Sequence, residues 1–325
     1  MSLALGEEQV PAGEDAVIAR LVALQVGIMT KVGMMTAAPV RRGQHPKHHG
    51  CVDAKFVVRN DIPAPCRIGL FKEPATYAAK VRWSNGASPA KPDTDADVHG
   101  MAVKVLGVEG TPALEGSARH EQDFILIDSE SFFVPDVQTM LDLMTARAMQ
   151  KDEAMAEFGK KYPKVLPALA GALKKIACPS TIQYWSTVPY KLGPGAVKYT
   201  AIPSGAPPAG AAPGTSPDYL RDALGVQLAQ GGPGAQYDLC VIPQASAEDP
   251  VEDPTVPWKA TPIPVATLTV SPQAFDTPDR MKEAEEMSFD PWHALAEHRP
   301  LGGINRARRA VYAASLKTRQ SALPV

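Results

Sequence analysis

Toward the C-terminal end of the chain, Asn305-Arg306-Ala307-Arg308-Arg309-Ala310-Val311-Tyr312 sets an arginine four residues before a tyrosine. On a helix that spacing puts both side chains on one face. A fixed positive charge beside a phenol favours the phenolate, a hard anionic oxygen ligand for a metal. The plain alternative is a helix whose Arg308 merely stacks on Tyr312. A second group with chemical potential lies far away in sequence, in Arg42-Gly43-Gln44-His45-Pro46-Lys47-His48-His49-Gly50. An imidazole titrates near neutrality and suits proton transfer. Read without context, His45, His48 and His49 are equally a solvated turn or an adventitious metal patch. Three more segments stand between these two groups: Val81-Arg82-Trp83-Ser84-Asn85-Gly86, Asp97-Val98-His99-Gly100, and Asp123 to Ile127 followed by Phe132-Phe133.

These residues need a scaffold. Residues 14–35 carry Val17, Ile18, Leu21, Val22 and Leu24 at helical spacing and predict a helix. Strands are expected at 51–58, 67–70, 77–84, 99–106 and 123–127, separated by Pro, Gly, Asn and Asp clusters. Helices are expected at 135–160 and 162–176, a strand over 184–199, and a short helix at 219–228. Strands at 237–242 and 265–270, a helical turn at 281–286 and a last helix at 306–320 complete the order. Successive short strands with alternating faces predict an α+β chain with an antiparallel barrel in its first half. No repeat is visible, and residues 1–325 read as one domain, with its core at about 40–320. The proline-rich stretches Pro203 to Pro217 and Pro250 to Pro264 should be loops or extended arms.

Composition narrows the classes. The 325 residues are 45% hydrophobic and 21% charged, with a formal net charge of −2, which is ordinary globular chemistry with chain enough for a large core. The 33 basic residues are scattered and outnumbered by acids, so no nucleic-acid partner is expected. No apolar run approaches the length needed to span a bilayer, and the first residues lack the basic start and apolar stretch of a secretory signal. A cytoplasmic location is the expectation. Cys51, Cys66, Cys178 and Cys240 are widely spaced, with no CxxC pair, and imply neither a disulfide frame nor a zinc site. No glycine-rich phosphate loop follows a strand, so no nicotinamide cofactor is expected.

Taken in order and spacing, the five segments resemble the haem core of the catalase-related superfamily, in particular its short bacterial peroxidases and the allene oxide synthase domain. The resemblance covers residues 40–135 and 285–320. It implies a catalase-like barrel with flanking helices and a C-terminal helix that carries the proximal haem ligand. Its further implications are a haem b cofactor with ferric iron and a possible homo-oligomer. Residue by residue, His45 matches the distal histidine, with Arg42 three positions before it and Lys47 and Gly50 after it. Ser84 matches the serine that orients that histidine. Arg42 and Arg82 match arginines that pair with haem propionates, Phe133 a phenylalanine that stacks on the macrocycle, and Arg308 and Tyr312 the proximal pair, with Tyr312 as axial metal ligand. His48 and His49 remain register alternatives to His45. His293 and His298 are lesser alternatives to Tyr312, and Phe132 to Phe133.

The resemblance implies an enzyme that reduces hydrogen peroxide or organic hydroperoxides through a ferryl intermediate, with a small organic reductant. Two alternatives stay beside it: rearrangement of a fatty-acid hydroperoxide without net reduction, and haem binding without catalysis. The chain departs from the family pattern in two places. Catalases carry a distal asparagine just before the strand that here reads Phe124 to Ile127, where this chain has His120, Gln122 and Asp123. They also carry an arginine where this chain has His99. The chain is shorter than a typical catalase, so the wrapping arm and C-terminal domain are expected to be absent and the haem more accessible.

Overall fold

Eight antiparallel strands close into a barrel, and helices cover the outside of one half of it. The computed structural model describes residues 4–36, 40–204 and 212–321. The strands are β1 (Lys47–Val58), β2 (Thr76–Asn85), β3 (His99–Leu106), β4 (Glu121–Ile127), β5 (Tyr184–Trp185), β6 (Tyr190–Leu192), β7 (Gly195–Pro203), β8 (Ala235–Pro243) and β9 (Ile263–Val270). Their order is β5-β4-β3-β2-β1-β9-β8-β7-β6, and a β5–β7 pairing closes the ring, leaving β6 as an added strand on β7. The helices are α1 (Glu14–Thr36), α2 (Val137–Met149), α3 (Asp152–Lys161), α4 (Val165–Ala172), α5 (Tyr219–Leu228), α6 (Pro278–Glu286) and α7 (Gly303–Ser321).

The strand period of two decides which residues are free for chemistry. Val81 and Trp83 of β2, Met101 and Val103 of β3, and Phe124 and Leu126 of β4 join the packed core. Inside the barrel the rings of Phe56 and Phe124 lie 6.0 Å apart, and those of Phe124 and Tyr199 4.9 Å apart. Their alternates Arg82, Ala102 and Ile125 are in register with one another across the three strands, as are Ser84, Gly100 and Ile127. These six point outward, toward the helices. A slip of one residue would exchange the two sets.

Three expectations about the elements are corrected. Residues 67–70 are not a strand. Pro63 and Pro65 remove donors, Gly69 has φ +54°, and the backbone turns in two short 3₁₀ segments, Ala64–Cys66 and Gly69–Phe71. The long strand expected over 184–199 is β5, β6 and β7, broken by Thr187 (φ 59°) and by the turn at Gly193 (φ 58°). The helix expected over 135–160 is likewise two, because Gln150 caps α2 in the left-handed region. Asp136 starts α2 by accepting from the Thr139 amide at 2.7 Å. Of the proline-rich stretches, residues 205–211 lie outside the described residues. The second stretch is loop until β9 begins at Ile263.

The outer helices are tied together at the start of α7. Arg306 bonds Glu14 (2.6 and 2.9 Å), Glu8 (2.7 Å) and Glu252 (2.8 and 3.1 Å). Gly302 turns into α7 with φ +84°, where a β-carbon would meet the Val251 carbonyl at 2.5 Å. Helix α1 lies along α7 and α2. The sequence expectation about spans needs amending here: Glu14–Met35 is long and apolar enough to cross a membrane by length and composition, with mean hydropathy 1.5. Only one narrow stripe of it is buried, Leu21, Gln25 and Met29 at four-residue spacing above Glu14.

Candidate haem cavity

A cavity of about 1130 Å³ lies between the outward face of β2–β4 and helices α1, α2 and α7. His45, Ser84, Arg42, Arg82, Phe132, Phe133, Arg308 and Tyr312 all line it. Residues from both ends of the chain thus meet at one space.

His45 sits two residues ahead of β1 with φ 56°, a left-handed conformation that a non-glycine residue adopts rarely. Three contacts hold it there. Its amide donates to the Gly86 carbonyl (3.2 Å), its carbonyl accepts from Arg82 Nη2 (2.9 Å), and its Nδ1 lies 3.1 Å from Ser84 Oγ. Burial and then the Arg82 charge push the imidazole down to about 4, so it is neutral at physiological pH. Neither register alternative reaches the cavity. His48 Nε2 is 3.3 Å from Glu285, and His49 Nε2 is 2.9 Å from Asn85 Oδ1.

On the α7 wall, Arg308 Nη2 donates to the Tyr312 oxygen at 3.1 Å, with the guanidinium carbon 5.3 Å from the ring centroid. Arg308 Nη1 donates to Asn305 Oδ1 (3.2 Å). Asn305, which the sequence did not single out, is itself fixed through its Nδ2 to the carbonyls of Pro189 (2.9 Å) and Leu301 (3.1 Å). Burial opposes the charge of Arg308, but the Tyr312 and Tyr190 phenols outweigh it and hold the guanidinium above its ordinary value.

A third cluster lies at the edge of the cavity. Arg42, Arg82 and Arg319 converge from the segment before β1, from β2 and from α7. Arg42 is engaged by Glu285 (3.0 Å) and by the Ala284 and Met287 carbonyls, and Arg319 by the Glu285 carbonyl. The Nε atoms of Arg82 and Arg319 are buried without a hydrogen-bond partner among the described residues. Burial, followed by the charge of Arg42, pushes Arg82 down to about 9 and Arg319 down to about 10. The Glu285 carboxylate resists burial because His48, Arg42 and Arg82 hold it at about 2. Arg319 was missed in the sequence, although it follows Tyr312 by seven residues, two turns along one helix face.

The remaining expectations sort cleanly. His298 lies inside the barrel, its Nε2 accepting from the Leu70 amide (2.9 Å) and its Nδ1 3.2 Å from the Tyr199 hydroxyl. His293 lies 2.9 Å from Asp123 and 3.0 Å from Glu121. That trio has metal-ligand chemistry, but Lys104 Nζ already supplies a cation at 2.8 Å from Asp123 and 2.9 Å from Glu121. Neither histidine lines the cavity. His99 is buried and paired with Asp128 at 2.8 Å. Of the residues near the expected asparagine, His120 is exposed beside Glu109, and Gln122 and Asp123 are buried away from the cavity. Among the described residues the side-chain amides lining the cavity are Gln25, Gln44 and Gln150. Gln44 directly precedes His45.

The donor set fits a haem. Tyr312 offers a phenol oxygen of the kind that ligates a metal, and among the described residues two buried guanidinium Nε donors lack the anionic partners that a pair of propionates would provide. Phe132 and Phe133, with ring centroids 4.4 Å apart, supply aromatic wall.

No protein-family model and no curated protein matches the sequence. Solved structures do match. A bacterial catalase aligns at 17% identity with a TM-score of 0.66, over 97% of this chain and 62% of that one. Catalase A from Saccharomyces cerevisiae aligns at 15% identity with a TM-score of 0.68, over 98% of this chain and 67% of that one. At these identities the likeness is one of fold: the chain has a catalase-like α+β fold and spans under two thirds of the bacterial catalase.

Proposed function

We propose that this chain is a haem-dependent hydroperoxidase that reduces hydrogen peroxide or an organic hydroperoxide with a small organic reductant. The observation that carries the reading is the presence of two prepared pairs, His45–Ser84 and Arg308–Tyr312, on different walls of one cavity. Tyr312 would hold the iron, and Arg82 and Arg319, with Arg42, would hold the propionates. Phe132 and Phe133 would pack on the ring. A ferric haem, when bound, supplies the redox chemistry that completes O–O cleavage.

The protein's own share is proton transfer. With its proton on Nδ1 toward Ser84 Oγ, His45 presents a lone pair on Nε2 to the cavity. That nitrogen takes a proton from the inner oxygen of a hydroperoxide and returns it to the outer oxygen, which leaves as water or an alcohol. The Ser84 bond holds the ring to one tautomer, and the low pKa keeps it a base across physiological pH. Arg308 holds its positive charge beside the Tyr312 oxygen. An absorption spectrum of the purified protein, with and without peroxide, tests the reading. A high-spin ferric haem with a tyrosinate-type band is expected, and a colourless protein that refuses reconstitution with haem would sink it.

One observation favours a second reaction class. The cavity carries no asparagine among the described residues, and its strand wall includes the apolar Ala102, Ile125 and Ile127. Rearrangement of a fatty-acid hydroperoxide needs less assistance in orienting a small polar peroxide. Product analysis after mixing with a lipid hydroperoxide separates an alcohol, from reduction, from a rearranged product.

A further inference from the structure

The outer end of the cavity differs in chemistry from its catalytic end. Seven large apolar side chains of the described residues are exposed, and four of them belong to the ends of the three helices around this opening. They are Met34 (79% exposed) and Met35 (75%) at the end of α1, Met149 (57%) at the end of α2, and Leu173 (42%) just after α4. Met35 and Leu173 line the cavity themselves, and Met149 stands between two lining residues, Ala148 and Gln150. Exposed apolar side chains scattered singly need no explanation, but a cluster around an opening does.

Charge adds a second, independent feature. Lys31, Lys91 and Arg147 also line the outer cavity, all exposed, and among the described residues none has an ion pair or hydrogen bond to its cationic group, although the Asp97 charge acts on Arg147 and Lys91. The one carboxylate among the lining residues, Asp97, is buried, and its oxygens accept from the amides of Ala87 (3.0 Å) and Val98 (2.8 Å). An apolar rim interleaved with exposed cations matches the boundary between headgroups and acyl chains of an anionic bilayer. A second copy of this chain fits less well. A two-fold contact here would set the same three cations against each other and plug the opening.

We infer that the rim of the cavity, formed by the ends of α1, α2 and α4, docks on the surface of an anionic phospholipid bilayer. In that pose the apolar side chains enter the lipid boundary, and Lys31, Lys91 and Arg147 meet phosphate groups. An apolar substrate then passes from lipid to His45 without crossing water. The inference stands on the rim and is read without peroxide, so it succeeds or fails separately from the proposed activity.

The test is flotation of the full-length protein with vesicles of phosphatidylcholine, with and without phosphatidylglycerol. Binding is expected to the mixed vesicles, weakening as salt rises. The double variant Lys31→Gln/Arg147→Gln should bind the mixed vesicles roughly thirtyfold more weakly. Met34→Ser/Met35→Ser should lose binding while keeping its circular dichroism and melting temperature. Absence of binding by the unaltered protein at low salt overturns the inference, as does binding that both variants retain. A dimer in light scattering that Met34→Ser/Met35→Ser dissolves, with no vesicle binding, overturns it in favour of a contact between copies.

Discussion

A β-carbon on Gly100 would stand 2.6 Å from both Nδ1 and Cε1 of His45. The imidazole therefore lies flat against the backbone of β3, in a space that only glycine leaves. Gly100→Ala should displace the ring and break its 3.1 Å bond to Ser84. A fall in kcat with haem content unchanged is expected, and full activity in this variant would show that the ring position is not critical.

Replacing the base itself should be more severe. His45→Ala is expected to retain haem and lose roughly 100-fold to 10,000-fold in turnover. Ser84→Ala, which removes only the orienting partner, should lose about tenfold to 100-fold. Steady-state peroxidase assays on haem-loaded protein read both. An active His45→Ala variant would overturn the assignment of His45 as the distal base.

Tyr312→Phe removes the oxygen that Arg308 addresses and keeps the ring. Haem incorporation should be lost or strongly weakened, measured as the ratio of haem absorbance to protein absorbance after reconstitution. Unchanged incorporation and spectrum would move the metal ligand elsewhere.

Arg82→Leu and Arg319→Leu each remove a buried guanidinium whose Nε has no protein partner. Each should weaken haem affinity about tenfold or more, the worth of a charged hydrogen bond. Their thermal stability should change less than that of Arg42→Leu, because Arg42 has a carboxylate and two carbonyls to abandon.

Buried histidines set the acid limb of stability. His45 and His298 are held down to about 4 and His49 to about 3, each chiefly by burial, against an ordinary value of 6.5. Their folded pKa values are depressed, so the unfolded chain takes up the protons first. The stability they allow is fully present above 6.5 and is lost as pH falls toward 4. Three such groups predict a loss of roughly 4 kcal/mol per pH unit in that window. Urea unfolding between pH 7 and 4 measures it, and a flat midpoint would show that these histidines ionise in the folded state. Glu285, held at about 2, should add to the loss only below the ordinary carboxylate range.

The site was more legible in the sequence than parts of the fold. Arg42, His45, Arg82, Ser84, Phe133, Arg308 and Tyr312 were each visible as a short local pattern, and the cavity gathers all of them. What separates His45 from His48 and His49 is that it stands ahead of β1 in a left-handed conformation, while the other two lie on the strand against Glu285 and Asn85, and spacing alone carries no sign of it. Asn305 acts through a side-chain contact to Arg308 and has no signature of its own. Residues 67–70 have the apolar texture of a strand, yet proline and a left-handed glycine deny them a ladder. The outward set on β2–β4 could have been found from the period of two, once Val81 and Trp83 were assigned inward. Helix α1 was expected as a helix, but its exposed flank depends on where the other helices end.

The clamp of Arg306 on Glu8, Glu14 and Glu252 bears on how the protein is made. All eight barrel strands, with His45 and Ser84, leave the ribosome before α7 does. The wall that carries Tyr312 is made after the barrel, when Arg306 meets Glu8, Glu14 and Glu252, all already synthesised. A nascent polypeptide stalled before α7 would expose Ser84 and Arg82 on an unroofed barrel face, a natural target for chaperones.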